Sequence, residues 1–296
     1  MIFHSLHALF CRPPALGAPE PDFLCVGMEK AATGWLYDQL KAHPDFWMPP
    51  VKELRYLHMG SPAMDDVVRA HSQQKARRRK EVDAAGQAFL AEAATLVRHP
   101  RDFRKYGMLF RFKGVRLSGD ISPGYWRLRQ PDIDVLAAQF PRLKVLLMVR
   151  DPVERAWSHI SMQHRRGAFD SAILENVAVF ARWFARSPLK RASLASKVPP
   201  RWAESAPAIP FRHFFFDDVV SAPKTTRDEI VGFLGGHPRK KEGNTPADYN
   251  RKAGFAKLPL TASLKAVLVE NLAEELRESA RVFGGPAEAW PARYGL

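Results

Sequence analysis

Two uninterrupted apolar runs, each leading straight into a helix-like stretch, constrain this chain more than any other feature. The first, "DFLCVGM" (22–28), ends in a glycine loop and is followed by "GWLYDQLKAHP", where Leu36 and Leu40 repeat at helical spacing and Pro44 ends the pattern. The second, "KVLLMV" (144–149), leads into "RDPVERAWSHISMQHRRG". There Asp151 is placed to cap a helix, Pro152 suits its first position and Glu154 completes a box-like pattern. An apolar run without alternation is a strand covered on both faces, and strands that feed helices belong to a parallel α/β sheet. Ligands of such sheets gather at the carboxyl ends of the strands. The loops after residues 28 and 149 are therefore where chemistry is expected.

The loop within "VGMEKAATGWL" (26–36) resembles a phosphate cradle with its lysine displaced. A nucleoside-triphosphate loop runs G-x-x-x-x-G-K-[ST], with the lysine on the terminal phosphates and the hydroxyl on Mg²⁺. Aligned on Gly27, that pattern puts Ala32 at the second glycine, Thr33 at the lysine and Gly34 at the metal hydroxyl; the only lysine is Lys30, three positions early. Unpaired N–H groups at a helix start hold an anion whatever the lysine's place. With no hydroxyl for Mg²⁺ and no clean acidic strand end, transfer of a terminal phosphate is disfavoured.

The second unit offers a second anion grip. Arg150 stands at the end of a strand, and Val153, Ala156, Trp157 and Ile160 form the apolar stripe of the following helix. Arg155 and Ser158 are left together on another face. Arginine with a hydroxyl binds phosphate well, so the pair of units implies a ligand with two separate phosphates.

The totals agree. A length of 296 residues, 46% hydrophobic and 26% charged, suits one large domain (22–296) preceded by an arm (1–21). A net charge of +14 implies an anionic ligand or partner. No zinc-finger, RNA-binding or basic-zipper signature accompanies it, so nucleic acid is not the expected partner. Two cysteines, Cys11 and Cys25, make no disulfide framework, and no segment reaches a membrane span; the expectation is a cytoplasmic protein. The basic run "QQKARRRKE" (73–81) reads either as a solvated helix face or as a surface for an acidic acceptor. Further along, "FRHFFFDD" (211–218) reads as a strand, "TTRDEIVGFLG" as a helix and Thr261–Phe283 as a long amphipathic helix ended by glycines. Segments 58–113 and 165–210 read as irregular insertions.

With these stretches in hand, the chain resembles the sulfotransferases that use 3′-phosphoadenosine 5′-phosphosulfate. "KAATGWL" is similar to that family's 5′-phosphosulfate loop and "RDPVERAWSH" to its 3′-phosphate motif. "HPDFWMPPVKELRYL" (43–57) and "GDISPGYW" (119–126) resemble the branch that sulfates carbohydrates and its bacterial relatives. The resemblance implies a P-loop-NTPase-like three-layer fold with a central, mostly parallel sheet flanked by helices. It implies the phosphosulfate donor, adenosine 3′,5′-bisphosphate as product, no metal requirement, and a small-molecule or glycan acceptor with a hydroxyl. Donor contacts are expected from Lys30, Ala31, Ala32, Thr33, Gly34 and Trp35, from Arg150 and Ser158, and from Arg251 and Lys252 in "NRKAGFAKLP". The early lysine now has a purpose, because Lys30 can reach the bridging oxygen that leaves.

The same resemblance makes Glu53 the base for the acceptor hydroxyl, with Lys52 leaning toward the sulfonate. Each has a bland alternative: a surface salt bridge for Glu53 and plain solvation for Lys30. Asp120 is either a second carboxylate at the transfer site or the cap of its own turn, which Ser122 and Tyr125 help to shape. His58 is a rival base in a poorer position. Two other functions fit parts of the chain: a metal-dependent nucleotide kinase or hydrolase with a degenerate loop, and a noncatalytic binder of anionic polymers.

Overall fold

A computed structural model describes residues 17–78, 82–238, 245–249 and 257–296, with helix backbone alone from 70 to 78. Four strands form one parallel sheet: β1 (Phe23–Cys25), β2 (Gly119–Ile121), β3 (Lys144–Val149) and β4 (Phe211–Phe215), in the order β2-β1-β3-β4. The three residues of β1 and Val145–Val149 of β3 are buried, which is why both read as unbroken apolar runs. Gly119 answers to a close approach, since a Cβ there would lie 2.2 Å from the Phe23 carbonyl oxygen across the β1–β2 ladder.

The chain leaves β1 toward β2 on one side and then returns to β3 on the other. Such a reversal opens a crevice beyond the carboxyl ends of the strands. Hydrogen bonds continue past the end of β1, with Met28 N–H donating to Met148 O (2.7 Å) and Met148 N–H to Gly27 O (2.9 Å), so the loop departs only after residue 28.

The helices expected from the sequence form as Thr33–Ala42, Pro152–Arg165, Pro223–Leu234 and Ala262–Phe283. In the last, Leu264, Val267, Leu268, Leu272 and Leu276 are buried, Thr261 caps the start and Gly284 (φ 62°) ends it. The run 211–218 divides: β4 stops at Phe215, and a short helix, Phe216–Ser221, takes the rest.

The two insertions are not irregular. Residues 58–113 contain helices Ser61–Arg78, Ala84–Leu96 and Phe103–Met108, and 165–210 contains Val177–Arg186, Pro188–Arg191 and Val198–Ser205. The first is tied to the start of β1 by Lys113, whose Nζ donates to Asp22 Oδ2 (2.7 Å) and Glu20 O (2.8 Å). Among the described residues no helix is long and apolar enough to cross a membrane.

Candidate functional site

The loop between β1 and helix Thr33–Ala42 carries Lys30 at φ 71° and Ala32 at φ 67°, both left-handed. An L-residue there costs about 1–2 kcal/mol, a strain the surrounding contacts must offset. No side chain caps the helix behind it, so its first backbone N–H groups have no side-chain acceptor at the helix start. Helix position is fixed from outside by Trp35 Nε1, donating to Ala247 O (2.6 Å), and by Gln39 Nε2, donating to Pro246 O (2.9 Å).

Two buried arginines brace this loop through consecutive carbonyls. Arg150, at the end of β3 and 9% exposed, donates to Lys30 O (3.2 Å) and to Glu154 Oε2 (3.2 Å), and its guanidinium lies 4.1 Å from the centre of the Phe216 ring. Arg155, fully enclosed, donates to Glu29 O (3.3 Å), Leu189 O (3.3 Å) and Ser193 Oγ (2.6 Å). Burial lowers the pKa of both, that of Arg155 to about 10. A guanidinium is not deprotonated in a protein at neutral pH, so both are cations. Nε of Arg155 is buried without a hydrogen-bond partner among the described residues.

Helix Pro152–Arg165 therefore has two inward faces, one apolar and one that carries Arg155 and Ser158, both buried. Its cap is Asp151, whose Oδ1 accepts from Val153 N–H (2.9 Å) and Glu154 N–H (3.2 Å), while Oδ2 accepts from Tyr294 Oη (2.9 Å) near the C-terminal end. The box-like role expected of Glu154 gives way to an ion pair. Its carboxylate goes to Arg150 and, at 4.0 Å, to Lys257.

The carboxylates sit on the other flank, in the loop before residue 56. Glu53 (φ 68°) and Arg55 (φ 56°) are again left-handed. Lys52 Nζ lies 2.5 Å from Glu53 Oε1, the lysine 15% and the glutamate 45% exposed. Beneath them Asp120 is buried and saturated. Oδ1 accepts from Ser122 Oγ (2.8 Å) and Leu54 N–H (3.4 Å); Oδ2 accepts from Tyr125 Oη (2.5 Å) and Tyr106 Oη (3.1 Å). Burial raises its pKa above the usual carboxylate value in spite of these bonds, and pushes both tyrosines well above theirs. Ser122 Oγ also accepts from Arg55 N–H (3.0 Å), so the end of β2 holds the backbone on either side of Leu54. The Lys52 charge acts on the Cys25 thiol, which burial pushes up to about 12. The Lys-Glu loop and the end of β1 thus share one electrostatic neighbourhood.

The 3₁₀ turn Pro123–Arg127 joins the two flanks. Arg127 pairs with Glu29 of the phosphate loop (3.3 Å) and stacks on Trp126 (4.4 Å), while Gly124 is pressed against His58, where a Cβ would come within 2.9 Å of the ring. Burial first, then Arg127, Arg55 and Arg101, lower the pKa of His58 to about 4. His159 is lowered to about 3, by burial first and then by Arg155, Lys30, Arg127 and Arg166. Sequence reasoning missed the bracing by Arg155, the bridge through Arg127 and the cationic setting of His159. The separation of Arg155 from the apolar stripe was the one available signal. Arg251 and Lys252 lie outside the described residues. The chain before them is held to helix Thr33–Ala42 through Pro246 and Ala247. The chain after them is held to helix Pro152–Arg165, where Trp157 Nε1 donates to Leu258 O (2.8 Å).

Known proteins give this arrangement its context. No curated protein matches the chain. Among solved structures, a sulfotransferase from Alicyclobacillus acidocaldarius superposes with a TM-score of 0.64 at 19% identity, covering 92% of this chain and 98% of that one. The sulfotransferase domain of the Synechococcus PCC 7002 olefin synthase superposes with a TM-score of 0.50 at 16% identity, covering 96% and 98%. At such identities the likeness speaks to the fold, which is P-loop-like with a central parallel sheet. The sulfotransferase family model matches residues 21–237, the span that holds β1 to β4, the phosphate loop, the Lys-Glu loop and the Arg150 motif, and the chain belongs to that family.

Proposed function

We propose that this chain transfers a sulfuryl group from 3′-phosphoadenosine 5′-phosphosulfate to a hydroxyl of a carbohydrate or small metabolite. The observation that carries the reading is the pair of buried arginines, Arg150 and Arg155, bonded to the carbonyls of Lys30 and Glu29 at the crevice between β1 and β3. Such a loop, held open at an uncapped helix start, suits one phosphate, and a guanidinium at the end of the neighbouring strand suits another.

In this reading the N–H groups of Ala32 to Trp35 hold the 5′-phosphosulfate, Ala31, whose N–H donates to Met28 O (3.2 Å), shapes the turn of the loop, and Arg150 with Ser158 holds the 3′-phosphate. Arg251 and Lys252 add charge on the nucleotide side. The acceptor oxygen attacks sulfur and gives its proton to Glu53. The bond from sulfur to the bridging oxygen breaks, and its electron pair leaves on the phosphate, where Lys30 stabilises the charge. In-line placement and charge stabilisation supply the acceleration. Lys52 serves the sulfonate, and Asp120 positions the Lys-Glu loop through Leu54. The finer kinship to the carbohydrate branch is supported by "VKEL" and "GDISPGYW".

Transfer from a ³⁵S-labelled donor to a panel of hydroxyl compounds, run in excess EDTA, tests the function. Labelled product should form, with one adenosine 3′,5′-bisphosphate released per sulfuryl group moved. Turnover only with Mg²⁺ and ATP would transfer the chain to the nucleotide kinases or hydrolases.

A further inference from the structure

A cavity of about 840 Å³ opens beside the transfer site, between the turn that follows β2 and the second helical insertion. Its charged lining is one-sided: Arg127, Arg129, Arg191, Lys197 and Arg201 against the single carboxylate of Glu204. Two of these cations are already paired, Arg127 with Glu29 (3.3 Å) and Arg129 with Asp132 (3.7 Å), a carboxylate it shares with Arg101. Among the described residues no carboxylate lies within 4.0 Å of Arg191, Lys197 or Arg201, although the Lys197 charge also acts on Glu275 and Glu278 behind the cavity wall. Arg201 is held in place by one nitrogen, Nη1, which donates to Trp126 O (2.8 Å) and Leu128 O (3.0 Å). The rest of its fork has no partner among the described residues. The Trp126 indole N–H, also of the lining, is enclosed and has no partner among the described residues.

Like charges gathered around a recess repel one another within a Debye length, even where, as at Arg191 and Lys197, the side chains are exposed. An anion relieves it. The cavity also borders the chemistry: Trp126 Cβ would lie 3.7 Å from a Cβ built on Gly27, and Arg127 spans from the cavity wall to Glu29, next to Lys30. Its volume is that of a small-molecule site. We infer that the acceptor is a compact molecule bearing, besides its hydroxyl, two or more negative charges, bound by Arg191, Lys197 and Arg201. This rests on the sulfuryl-transfer reading and assigns its acceptor side.

The test is calorimetric and needs no knowledge of the true acceptor. Citrate and 3-phosphoglycerate, compact hydroxyl-bearing anions, are titrated into the protein saturated with adenosine 3′,5′-bisphosphate, with glycerol as the neutral control and heparin as the polymeric one. The two anions should bind and glycerol should not. The double variant Arg191→Gln/Lys197→Gln alters two exposed side chains. It should weaken both anions ~10-fold or more while leaving the bisphosphate affinity unchanged. The inference is overturned if the anions bind no better than glycerol, if the double variant binds them as well as the natural chain, if they displace the bisphosphate, or if heparin alone binds. Should the bisphosphate itself fail to bind, the sulfuryl-transfer reading fails separately. The same comparison on the free protein then still reports on the cavity.

Discussion

Glu53 and Lys30 share an unusual backbone state: each is a left-handed residue in a loop held by hydrogen bonds to its backbone, at the N–H groups of Leu54 and Arg55 just after Glu53 and at the carbonyls of Glu29 and Lys30. Strain of this kind persists only where the surroundings over-determine it, and it aims a side chain to within tight limits. For Glu53 the expected consequence is catalytic. Glu53→Gln keeps the shape, loses the ability to take a proton and should lower kcat by about 10²-fold or more, with adenosine 3′,5′-bisphosphate affinity within a few-fold of the natural chain. Steady-state kinetics with the donor check this, and near-normal turnover would assign the proton to another group. At this scale the sequence exposed Lys30 and Arg150 because each sits at a fixed offset from an apolar strand. It did not expose Arg155 as a brace or Arg127 as a bridge. Their partners, Ser193 and Glu29, are 38 and 98 residues away in the chain, and no local pattern encodes such pairings.

Among the elements, the end of β2 acts as a bracket for the loop that carries Glu53. Four donors converge on Asp120, and all four need an acceptor in a buried site. Asp120→Asn would turn an N–H₂ toward at least one of them, leaving a buried donor unpaired at a cost of about 1–3 kcal/mol. Thermal unfolding should therefore show reduced stability, and turnover should fall because Leu54 is no longer held. A variant with unchanged stability and abolished turnover would instead make Asp120 a participant in proton transfer. The strands were legible as short apolar or aromatic runs, and their following helices by apolar residues such as Leu36 and Leu40 at helical spacing. The insertions were not. Helix Ala84–Leu96 is built largely of alanine, which marks no face, and Ser61–Arg78 runs into the densest charge of the chain, with Ala63, Met64 and Val67 buried in its first half.

At the scale of the whole molecule, a chain of net charge +14 encloses two neutral histidines among its arginines. His58 and His159 take up a proton in the folded state only near pH 4 and 3, against an ordinary value of 6.5 in the unfolded chain. Between those limits the unfolded chain binds more protons, so stability is fully present above about pH 6.5 and is lost as pH falls toward 4 and then 3. The slope is at most ~1.4 kcal/mol per pH unit for each ring, and less for His58, whose site is partly open to solvent. Denaturant unfolding from pH 7.5 to 4.5 should show this decline. His159→Gln should flatten it, and an unchanged profile would place the acid sensitivity elsewhere.

The central claim is that one nucleotide with two separate phosphates bridges the phosphate loop and the Arg150 motif. Calorimetric titration in EDTA with adenosine 3′,5′-bisphosphate and with AMP addresses it without any acceptor. The bisphosphate should bind more tightly than AMP by ~10²-fold or more, a gap of about 2.8 kcal/mol or more. Arg150→Ala should narrow that gap by about 1.5–3 kcal/mol, the scale of a hydrogen bond to a charged group. Equal affinities for the two nucleotides, or a gap untouched by Arg150→Ala, would contradict it.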